Sequence, residues 1–544
     1  MRQALAGSLL LLTLGCEAEP TKTLAPTRGF ILISIDTLRA DHLSCYGYTR
    51  VTSPFIDTLA ARGVLFENAF VQLPGTLPSH MSIFTGLYPA EHGVYPPDGV
   101  LSPEIPTLPE IFQANGFRTG GFTEGGYVDG DYGFARGFEV FSDRAGQVES
   151  DVEETFGRGL EFLEGLEDDE PFFLFLHTYS VHDPYTPMEP YSSLYWQGPV
   201  PNTFEPTGPN LVAVNRGELQ ITPRTTKYFE SLYDGSINYV DDMLRQLFSD
   251  LARLRLSDQI TLVLTSDHGE EFREHGRMVH QQVYPETLRV PLIFLHPGLH
   301  KPRRVQSLVE SIDIAPTLLD IAGLAIPQQS GRSLVDLLLG GHEPEESQAY
   351  AESFVNPTRT VLRLNKNGFS QFLATSLLQS DQKPVWVSHS VSFDVASDEI
   401  RFRVSSYNQP RVLRVELNGV EDGSHEIRPD AWTTIEIAPP PGVPLARITL
   451  EADGCISPAS LGRSGDARCL SFRFRGQGPL STFELYDLRD DPVAQTNVFR
   501  RQPHVVRELN EILTNRGIRF DSFQTSRDLD LELQERLKAF GYLQ

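Results

Sequence analysis

The sequence predicts an α/β fold in which helices cover both faces of a mostly parallel sheet. Three apolar runs, at residues 29–36, 171–176 and 260–265, are continuous enough to be strands buried on both faces. Stretches with helical periodicity lie between them, and the longest, 227–252, carries apolar residues at helical spacing. Strands that alternate with helices in this way are typical of parallel pairing.

Shorter helices are predicted from the residues at their ends. Ser53 and Pro54 suit an N-cap and a first helical position, and Gly63 suits the position just beyond the helix. Similar signals predict helices at 77–85 and 107–115. A fourth apolar run, 291–295, is a further predicted strand.

The pattern changes after about residue 380. Short alternating runs separated by turn residues predict an all-β unit, a small sandwich. These runs cover 387–395, 399–405, 411–417, 432–437, 446–451 and 469–475. Helical pattern returns only at 503–515 and 529–540.

The composition indicates a globular, acidic protein. The chain has 544 residues, of which 40% are hydrophobic, and its formal net charge is −26. Nucleic acid is therefore not expected as a partner, because binding a phosphate backbone requires an excess of Lys and Arg.

The N-terminus has the features of an export signal. Arg2 precedes a short apolar run, 4–14, which is too short to span a membrane, and Gly15-Cys16 follows it. The arrangement resembles a bacterial lipoprotein signal, which implies a signal peptide at 1–15, a lipid anchor at Cys16 and a tether at 16–28. The expected location is the periplasm or outer cell envelope. The alternative is an ordinary cleaved signal.

The remaining cysteines fit an exported protein. Cys455 and Cys469 enclose a loop of small and polar residues, and we expect them to form a local disulfide. Cys45 is expected to be unpaired.

Polar residues follow the predicted strands at their carboxyl ends, where open α/β sheets bind ligands. Asp36, His177 with nearby His182, and the pair Asp267-His268 occupy these positions. Two acids and an imidazole that converge from separate strands predict a metal site with oxygen and nitrogen ligands. The alternative for any single one is a solvated loop residue or a helix cap.

Thr76 lies at the start of the predicted helix at 77–85. Free N–H groups and the helix dipole favour an anion there. A hydroxyl at that point could attack phosphorus or sulfur while a metal lowers its pKa. The alternative is that Thr76 only caps the helix.

Several segments resemble the motifs of sulfatases, in the expected order. The opening motif is Ser34-Ile-Asp-Thr-Leu-Arg-Ala-Asp-His-Leu-Ser-Cys-Tyr-Gly-Tyr48, and the nucleophile helix corresponds to 77–89. A third motif corresponds to 266–276 with 288–293, and a C-terminal signature to 484–488 with Asp491, Pro492 and Asn497.

The resemblance implies a sulfatase-like α/β/α sandwich of the alkaline phosphatase type. It implies a catalytic domain at 29–345 and a small C-terminal subdomain at 346–379 and 477–544. The β-rich stretch 380–476 is then an insertion into that subdomain.

Four positions depart from the sulfatase pattern. Thr76 replaces the Cys or Ser that is converted to formylglycine, and Thr cannot yield that aldehyde. Thr37 replaces a second Asp, His80 replaces an Arg, and His268 replaces an Asn. The combination is similar to the phosphate-handling relatives, in which a metal activates a Thr nucleophile.

The resemblance implies a specific site. Asp36, Thr76, Asp267 and His268 would hold one divalent metal ion, either Ca, Mn, Mg or Zn. Thr76 would be the nucleophile, and His182 or His280 would contact the anion or serve as general acid. His275 is expected at most to brace its loop.

The predicted function is metal-dependent hydrolysis of sulfate or phosphate esters through Thr76. The substrate would be a small molecule or a glycan, and membrane contact would occur only through the N-terminal lipid. Two alternatives stay open: a transferase that moves a phospho group to a glycan or lipid, and a non-catalytic glycan-binding lipoprotein.

Overall fold

A computed structural model describes most of the chain. It covers residues 23–143, 151–353, 358–366, 368–376, 385–387, 390–395, 400–429, 431–437, 446–455, 471–476, 481–498 and 501–515. The predicted signal peptide, the predicted helix at 529–540 and Cys469 lie outside these ranges.

The N-terminal part of the described chain alternates between strands and helices, as predicted. Its strands are β1 (Gly29–Ile35), β2 (Val64–Phe70), β3 (Arg118–Phe122), β4 (Val140–Ser142), β5 (Phe172–Thr178), β6 (Ile260–Thr265), β7 (Glu271–Phe272), β8 (Met278–Val279), β9 (Arg289–Val290), β10 (Leu292–Leu295) and β11 (Arg303–Glu310). Its helices are α1 (Pro54–Ala60), α2 (Thr76–Thr85), α3 (Pro89–His92), α4 (Leu108–Ala114), α5 (Val152–Glu164), α6 (Tyr191–Leu194), α7 (Gly208–Asn215), α8 (Pro223–Arg253), α9 (Pro285–Leu288), α10 (Ile314–Ala322) and α11 (Val335–Leu338).

The main sheet has the order β11-β2-β10-β6-β1-β5-β3-β4, with β9 also paired to β2. β1 lies between β5 and β6 and is parallel to both, so the carboxyl ends of these three strands are neighbours. β10 is the predicted fourth strand, but it runs antiparallel to β6 and β2. β5 continues beyond its predicted end, because its last residues pair with the end of β1. His177 is therefore inside the strand.

Helices cover both faces of this sheet, which confirms the α/β/α sandwich. Successive β1 side chains enter two separate apolar clusters: Phe30 and Leu32 pack on one face, and Ile31, Ile33 and Ile35 on the other. This alternation is the geometry of a strand buried on both faces. The first cluster includes residues of α2, α4 and α10, and the second includes residues of α1, α5 and α8.

The C-terminal part is dominated by antiparallel sheets. Its elements are β12 (Glu346–Ser353), β13 (Thr358–Asn365), β14 (Gly368–Ser376), β15 (Val385–Val387), β16 (Ser390–Val395), β17 (Ile400–Ser406), β18 (Arg411–Leu417), β19 (Val420–Ile427), β20 (Thr433–Ile437), β21 (Ala446–Ala452), β22 (Phe472–Gly476), β23 (Ser481–Asp487) and α12 (Pro503–Asn515). β12, β13, β14 and β23 form one sheet, here called the C-terminal sheet, against which α12 packs.

The predicted β-rich stretch contributes two further four-stranded sheets, β15-β22-β17-β20 and β16-β21-β18-β19. The run predicted as a single strand at 387–395 is two strands, which belong to different sheets. The turn Asn418-Gly419 connects β18 to β19, and both residues have positive φ angles, 54° and 81°. Such a turn matches the twist of a tight hairpin. The domain boundaries themselves stay predictions.

Two cysteines have defined states. Cys455 is disulfide-bonded, and Cys45 is free. No helix within the described ranges is long and apolar enough to cross a membrane.

Candidate active site

The polar residues that follow the adjacent parallel strands β1 and β6 lie close together at the carboxyl ends of these strands. Asp36 follows β1, and Asp267 and His268 follow β6. One ligand atom from each of the three lies within 4.8 Å of the others, and all three side chains are fully buried. Sequence reasoning predicted this convergence, and the described part of the chain contains it.

Thr76 lies beside the same three residues and is contributed by a helix, α2, and not by a strand end. It is the first residue of α2, and its Oγ1 lies 3.4 Å from His268 Nε2. The Thr76 hydroxyl also lowers the pKa of the Asp36 carboxylate, which burial raises, so the two groups are neighbours. The start of this ten-residue helix places backbone N–H groups and the positive end of the dipole beside the hydroxyl.

The two carboxylates have the electrostatics of a cation site. Asp36 Oδ1 and Asp267 Oδ2 are buried without a hydrogen-bond partner. Burial and the neighbouring Asp267 raise the pKa of Asp36 well above its usual value. Burial works against ionisation of Asp267 too, but His268 and His80 outweigh it and lower the pKa of Asp267 to about 2. A divalent cation would compensate both buried acids, so the residues present fit one.

His268 is oriented as a metal ligand would be. Its Nδ1–H can donate to the Gly269 carbonyl, 3.0 Å away, which leaves the lone pair on Nε2. Nε2 is the atom that faces Thr76, and it lies 3.3 Å from Asp267 Oδ2. Burial lowers the pKa of His268 to about 4, although the Asp267 carboxylate works against that shift.

His80 lies directly behind the acids, although sequence reasoning treated it only as a departure from the sulfatase pattern. Its Nδ1–H can donate to the Thr76 carbonyl at 2.9 Å, and its Nε2 can accept from the Ser34 hydroxyl at 3.0 Å. Nδ1 is also 3.6 Å from Asp267 Oδ2. Burial lowers its pKa. His80 therefore supports the helix start and the Asp267 carboxylate together.

His177 supports Asp36 in a similar way. Its Nε2 is 3.2 Å from Asp36 Oδ2, and its ring packs edge-on against His80 at 4.7 Å between centroids. Its position inside β5, next to β1, explains the contact. The sequence left open whether His177 serves the site or only the core, and the structure places it against the site.

Thr37 occupies the position of the missing second Asp in a strained conformation. Its φ angle is 56°, which is unfavourable for a β-branched residue. Its N–H donates to Asp267 Oδ1 at 3.3 Å, and its carbonyl accepts from the Tyr233 hydroxyl at 2.7 Å. The backbone of Thr37, rather than its side chain, therefore orients Asp267.

His280 and His182 form a second side of the site, next to His268. The ring centroids of His280 and His268 are 4.3 Å apart, and those of His280 and His182 are 5.3 Å apart. Nδ1 of His182 can donate to the Asp183 carbonyl at 2.8 Å. Burial and neighbouring His182 lower the pKa of His280 to about 3. An anionic ester beside His280 would favour the protonated form of its ring.

Glu270 is a buried acid that sequence reasoning missed. Its Oε1 is 3.3 Å from His280 Nδ1, and burial raises its pKa. The only signal available was its place two residues after His268. His275, in contrast, lies outside this group and contacts Glu286 and Ala494.

The fold and the site define a class: α/β/α enzymes whose polar site lies at the carboxyl edge of a central, mostly parallel sheet. The family model described as Sulfatase matches residues 28–324, more than half of the chain. The chain therefore belongs to the sulfatase family and is an ester hydrolase. The match by itself assigns no role to Thr76.

Known proteins resemble it as follows. Iduronate 2-sulfatase of Mus musculus is 26% identical over 384 residues, which are 55% of this chain and 69% of that protein. A protein solved in complex with its substrate D-glucosamine-2-N,6-O-disulfate has a TM-score of 0.60 at 15% identity, covering 90% of this chain and 97% of that one. The phosphonate monoester hydrolase of Agrobacterium radiobacter has a TM-score of 0.56 at 17% identity, covering 90% and 95%. These structural likenesses confirm the fold.

Proposed function

We propose that this protein hydrolyses sulfate or phosphate esters of a small molecule or glycan, with the Thr76 hydroxyl as nucleophile and one divalent cation as cofactor. The observation that carries the proposal is the position of Thr76 Oγ1, which lies 3.4 Å from His268 Nε2, beside the buried group formed by Asp36, Asp267 and His268. A helix cap would require no such group of buried acids.

Asp36, Asp267, His268 and Thr76 would hold the cation. When bound, the cation would supply Lewis-acid stabilisation of negative charge and would lower the pKa of the hydroxyl. The oxygen and nitrogen donors suit Ca, Mn, Mg or Zn.

The chain's own groups account for the proton and bond changes. Thr76 Oγ1 attacks the sulfur or phosphorus, its proton passes to the neighbouring Asp36 carboxylate, and the bond to the leaving oxygen breaks. His182 or His280 donates a proton to that oxygen. A water molecule then attacks the sulfur or phosphorus of the threonyl ester and gives a proton back to that histidine. The bond to Thr76 Oγ1 breaks, and Asp36 returns the proton to this oxygen. The N–H groups at the start of α2 stabilise the charged oxygens.

Whether the substrate is a sulfate ester or a phosphate ester is judged mainly from Thr76. A formylglycine mechanism is unavailable to Thr, and an Asp-His third motif suits phosphate chemistry as well. One relative is an iduronate 2-sulfatase, and one structural neighbour is a phosphonate monoester hydrolase, so both ester classes occur among similar proteins. Parallel assays with sulfate, phosphate and phosphonate esters of one leaving group decide between the classes.

Residues 1–22 lie outside the described ranges, and for them we propose export and lipid attachment at Cys16, which would place the enzyme in the periplasm or outer envelope. Mass spectrometry of the mature N-terminus tests this: a chain that begins beyond Cys16 contradicts it.

The decisive test of the nucleophile is Thr76→Ala. We expect turnover to fall by on the order of 10⁴-fold or more, because the attacking atom is lost. Thr76→Ser is the matched control, since it keeps the hydroxyl, and it should retain measurable turnover. Full activity in Thr76→Ala would refute the proposal.

A further inference from the structure

The loop that carries His280 leaves the main sheet and contacts the C-terminal part of the chain. This loop, residues 273–284 and here called the His280 loop, begins after β7 and ends before α9. Three of its residues have positive φ angles: Arg273 at 72°, Gly276 at 83° and Val279 at 66°. Val279 immediately precedes His280, so the backbone there is unfavourable unless outside contacts hold it.

Some of those contacts come from the main sheet's domain, where β8 pairs with β7 and Asn215 bonds the backbone of Met278. The others come from the C-terminal sheet and the turn after it. Five hydrogen bonds cross from this region to the loop: Gln495 Nε2 to the Glu274 carbonyl (2.8 Å), His275 Nε2 to the Ala494 carbonyl (2.9 Å), Ser353 Oγ to the Gln281 carbonyl (3.0 Å), Gln371 Nε2 to the Val283 carbonyl (2.6 Å) and the Tyr284 hydroxyl to Glu484 Oε2 (2.9 Å). These five bonds join the loop to residues 72 to 221 positions away in sequence.

His275 has the central position among these contacts. Its Nδ1 is 2.5 Å from Glu286 Oε1 and its Nε2 is 2.9 Å from the Ala494 carbonyl. Its ring stacks on Tyr284, with centroids 3.5 Å apart and an interplanar angle of 4°. Because acceptors face both ring nitrogens, the complete bridge requires a proton on each side of the ring. No aliphatic or amide side chain could make both bonds and the stack.

Charge agrees with this geometry. Burial alone would lower the pKa of His275, but the Glu286 carboxylate outweighs it and raises that pKa. Glu286 in turn joins the bridge to the motif after β6, since its carbonyl accepts the N–H of Glu270 at 3.1 Å. Glu270 is the residue that contacts His280 Nδ1.

We propose that His275 is a positioning residue: its ring connects Glu286 of the main sheet's domain to Ala494 of the C-terminal part and thereby fixes the loop that places His280 beside the ester. The inference rests on the proposed function, in which His280 serves the leaving group. It assigns the C-terminal part a share in the chemistry of a site to which it contributes no ligand or nucleophile.

The test uses His275→Phe in the full-length protein with its metal. Phenylalanine keeps the stack on Tyr284 and removes both hydrogen bonds. The assay measures kcat on aryl esters that differ in leaving-group pKa. We expect kcat to fall by about tenfold for poor leaving groups and little for activated ones, less than the 10²–10⁴-fold that a positioned general acid contributes.

A double variant distinguishes a positioning role of His275 from a general disturbance of the fold. The loss should disappear when His275→Phe is combined with His280→Ala, because the group being positioned is then absent. An equal loss on all esters, or an undiminished loss in the His280→Ala background, would overturn the inference. Glu508→Gln is the control, since Glu508 contacts Arg363 within the C-terminal part and not the His280 loop.

A second measurement does not depend on turnover. Hydrogen exchange of residues 276–282 should be faster in His275→Phe than in wild type or Glu508→Gln. The two proposals can fail separately. Full activity of Thr76→Ala would refute the proposed function. Unchanged hydrogen exchange of residues 276–282 in His275→Phe would refute the positioning role of His275. If His275→Phe does not fold, His275→Gln, which keeps one donor, should show a smaller effect of the same kind, and wild-type behaviour would refute it.

Discussion

The two sides of the site are built differently. The acid side, Asp36, Thr76, Asp267 and His268, comes from adjacent strand ends and one helix start within a single sheet domain. The histidine side depends on His280, whose loop is held both by the main sheet's domain and by the C-terminal sheet and its following turn. The first therefore needs only the main sheet to be intact, whereas the second needs two parts of the chain to be in contact.

This difference separates two parts of the reaction. In the proposed mechanism, attack would depend on groups fixed by the core of the main sheet, and departure of the leaving group would depend on a loop with unfavourable backbone angles. Variants on the acid side should abolish reaction with every ester. Variants on the histidine side should discriminate between esters.

After Thr76→Ala, Asp36→Asn should have the largest effect, in two opposite directions. Turnover should fall by at least about 100-fold if Asp36 holds the proposed cation. The metal-free protein should melt at a higher temperature than wild type, because one of two facing buried acids is removed. Melting curves and metal content with and without chelator check both parts.

Asp258→Asn, at an exposed position before β6, is the control for Asp36→Asn and should change neither quantity. If metal-free Asp36→Asn melted at the wild-type temperature, repulsion between Asp36 and Asp267 would not destabilise the metal-free protein.

Glu271→Gln tests the histidine side through pH. Burial and the nearby Glu286 raise the pKa of Glu271 from 4.5 to about 8. The folded state therefore holds a proton more tightly than the unfolded state, and wild-type stability falls as pH rises from about 4.5 towards 8. Glutamine lacks this loss and keeps an acceptor for the Gln281 N–H.

The melting temperature of Glu271→Gln relative to wild type should therefore rise between pH 5 and pH 8. If the difference in melting temperature between Glu271→Gln and wild type stayed constant from pH 5 to pH 8, Glu271 would not titrate in that range.

Thr37→Gly should have the smallest effect. Glycine relieves the strain of a β-branched residue at a φ of 56° and keeps the N–H bond to Asp267. Stability should rise by about 1 kcal/mol at most, with turnover within about twofold of wild type. Thermal melting and steady-state kinetics check this, and a tenfold loss of turnover would give the hydroxyl itself a role.

The sequence predicted the elements of the acid side well. The runs at 29–36 and 260–265 correspond to β1 and β6, and the helix predicted at 77–85 begins one residue earlier, at Thr76. Continuous apolar strands and Pro or Gly at helix ends are local signals. For the same reason the helix at 503–515 was predicted with its observed bounds.

Predictions that depended on distant pairing were less successful. The run at 387–395 divides between two sheets, and the strand Val420–Ile427 was not predicted because its polar residues lack a clear alternation. The antiparallel direction of β10 follows from its neighbours β2 and β6, which local sequence does not contain.

By itself the sequence determined where β1 and β6 end and where α2 begins, and therefore which residues stand at those positions. Signals for strand ends and helix starts lie within about ten neighbouring residues. Only the tertiary structure decided that His80 and His177 would stand behind the acids and that Ala494 would hold the loop of His280. Those contacts join residues far apart in the chain, and their energy exists only once the sheets have packed together.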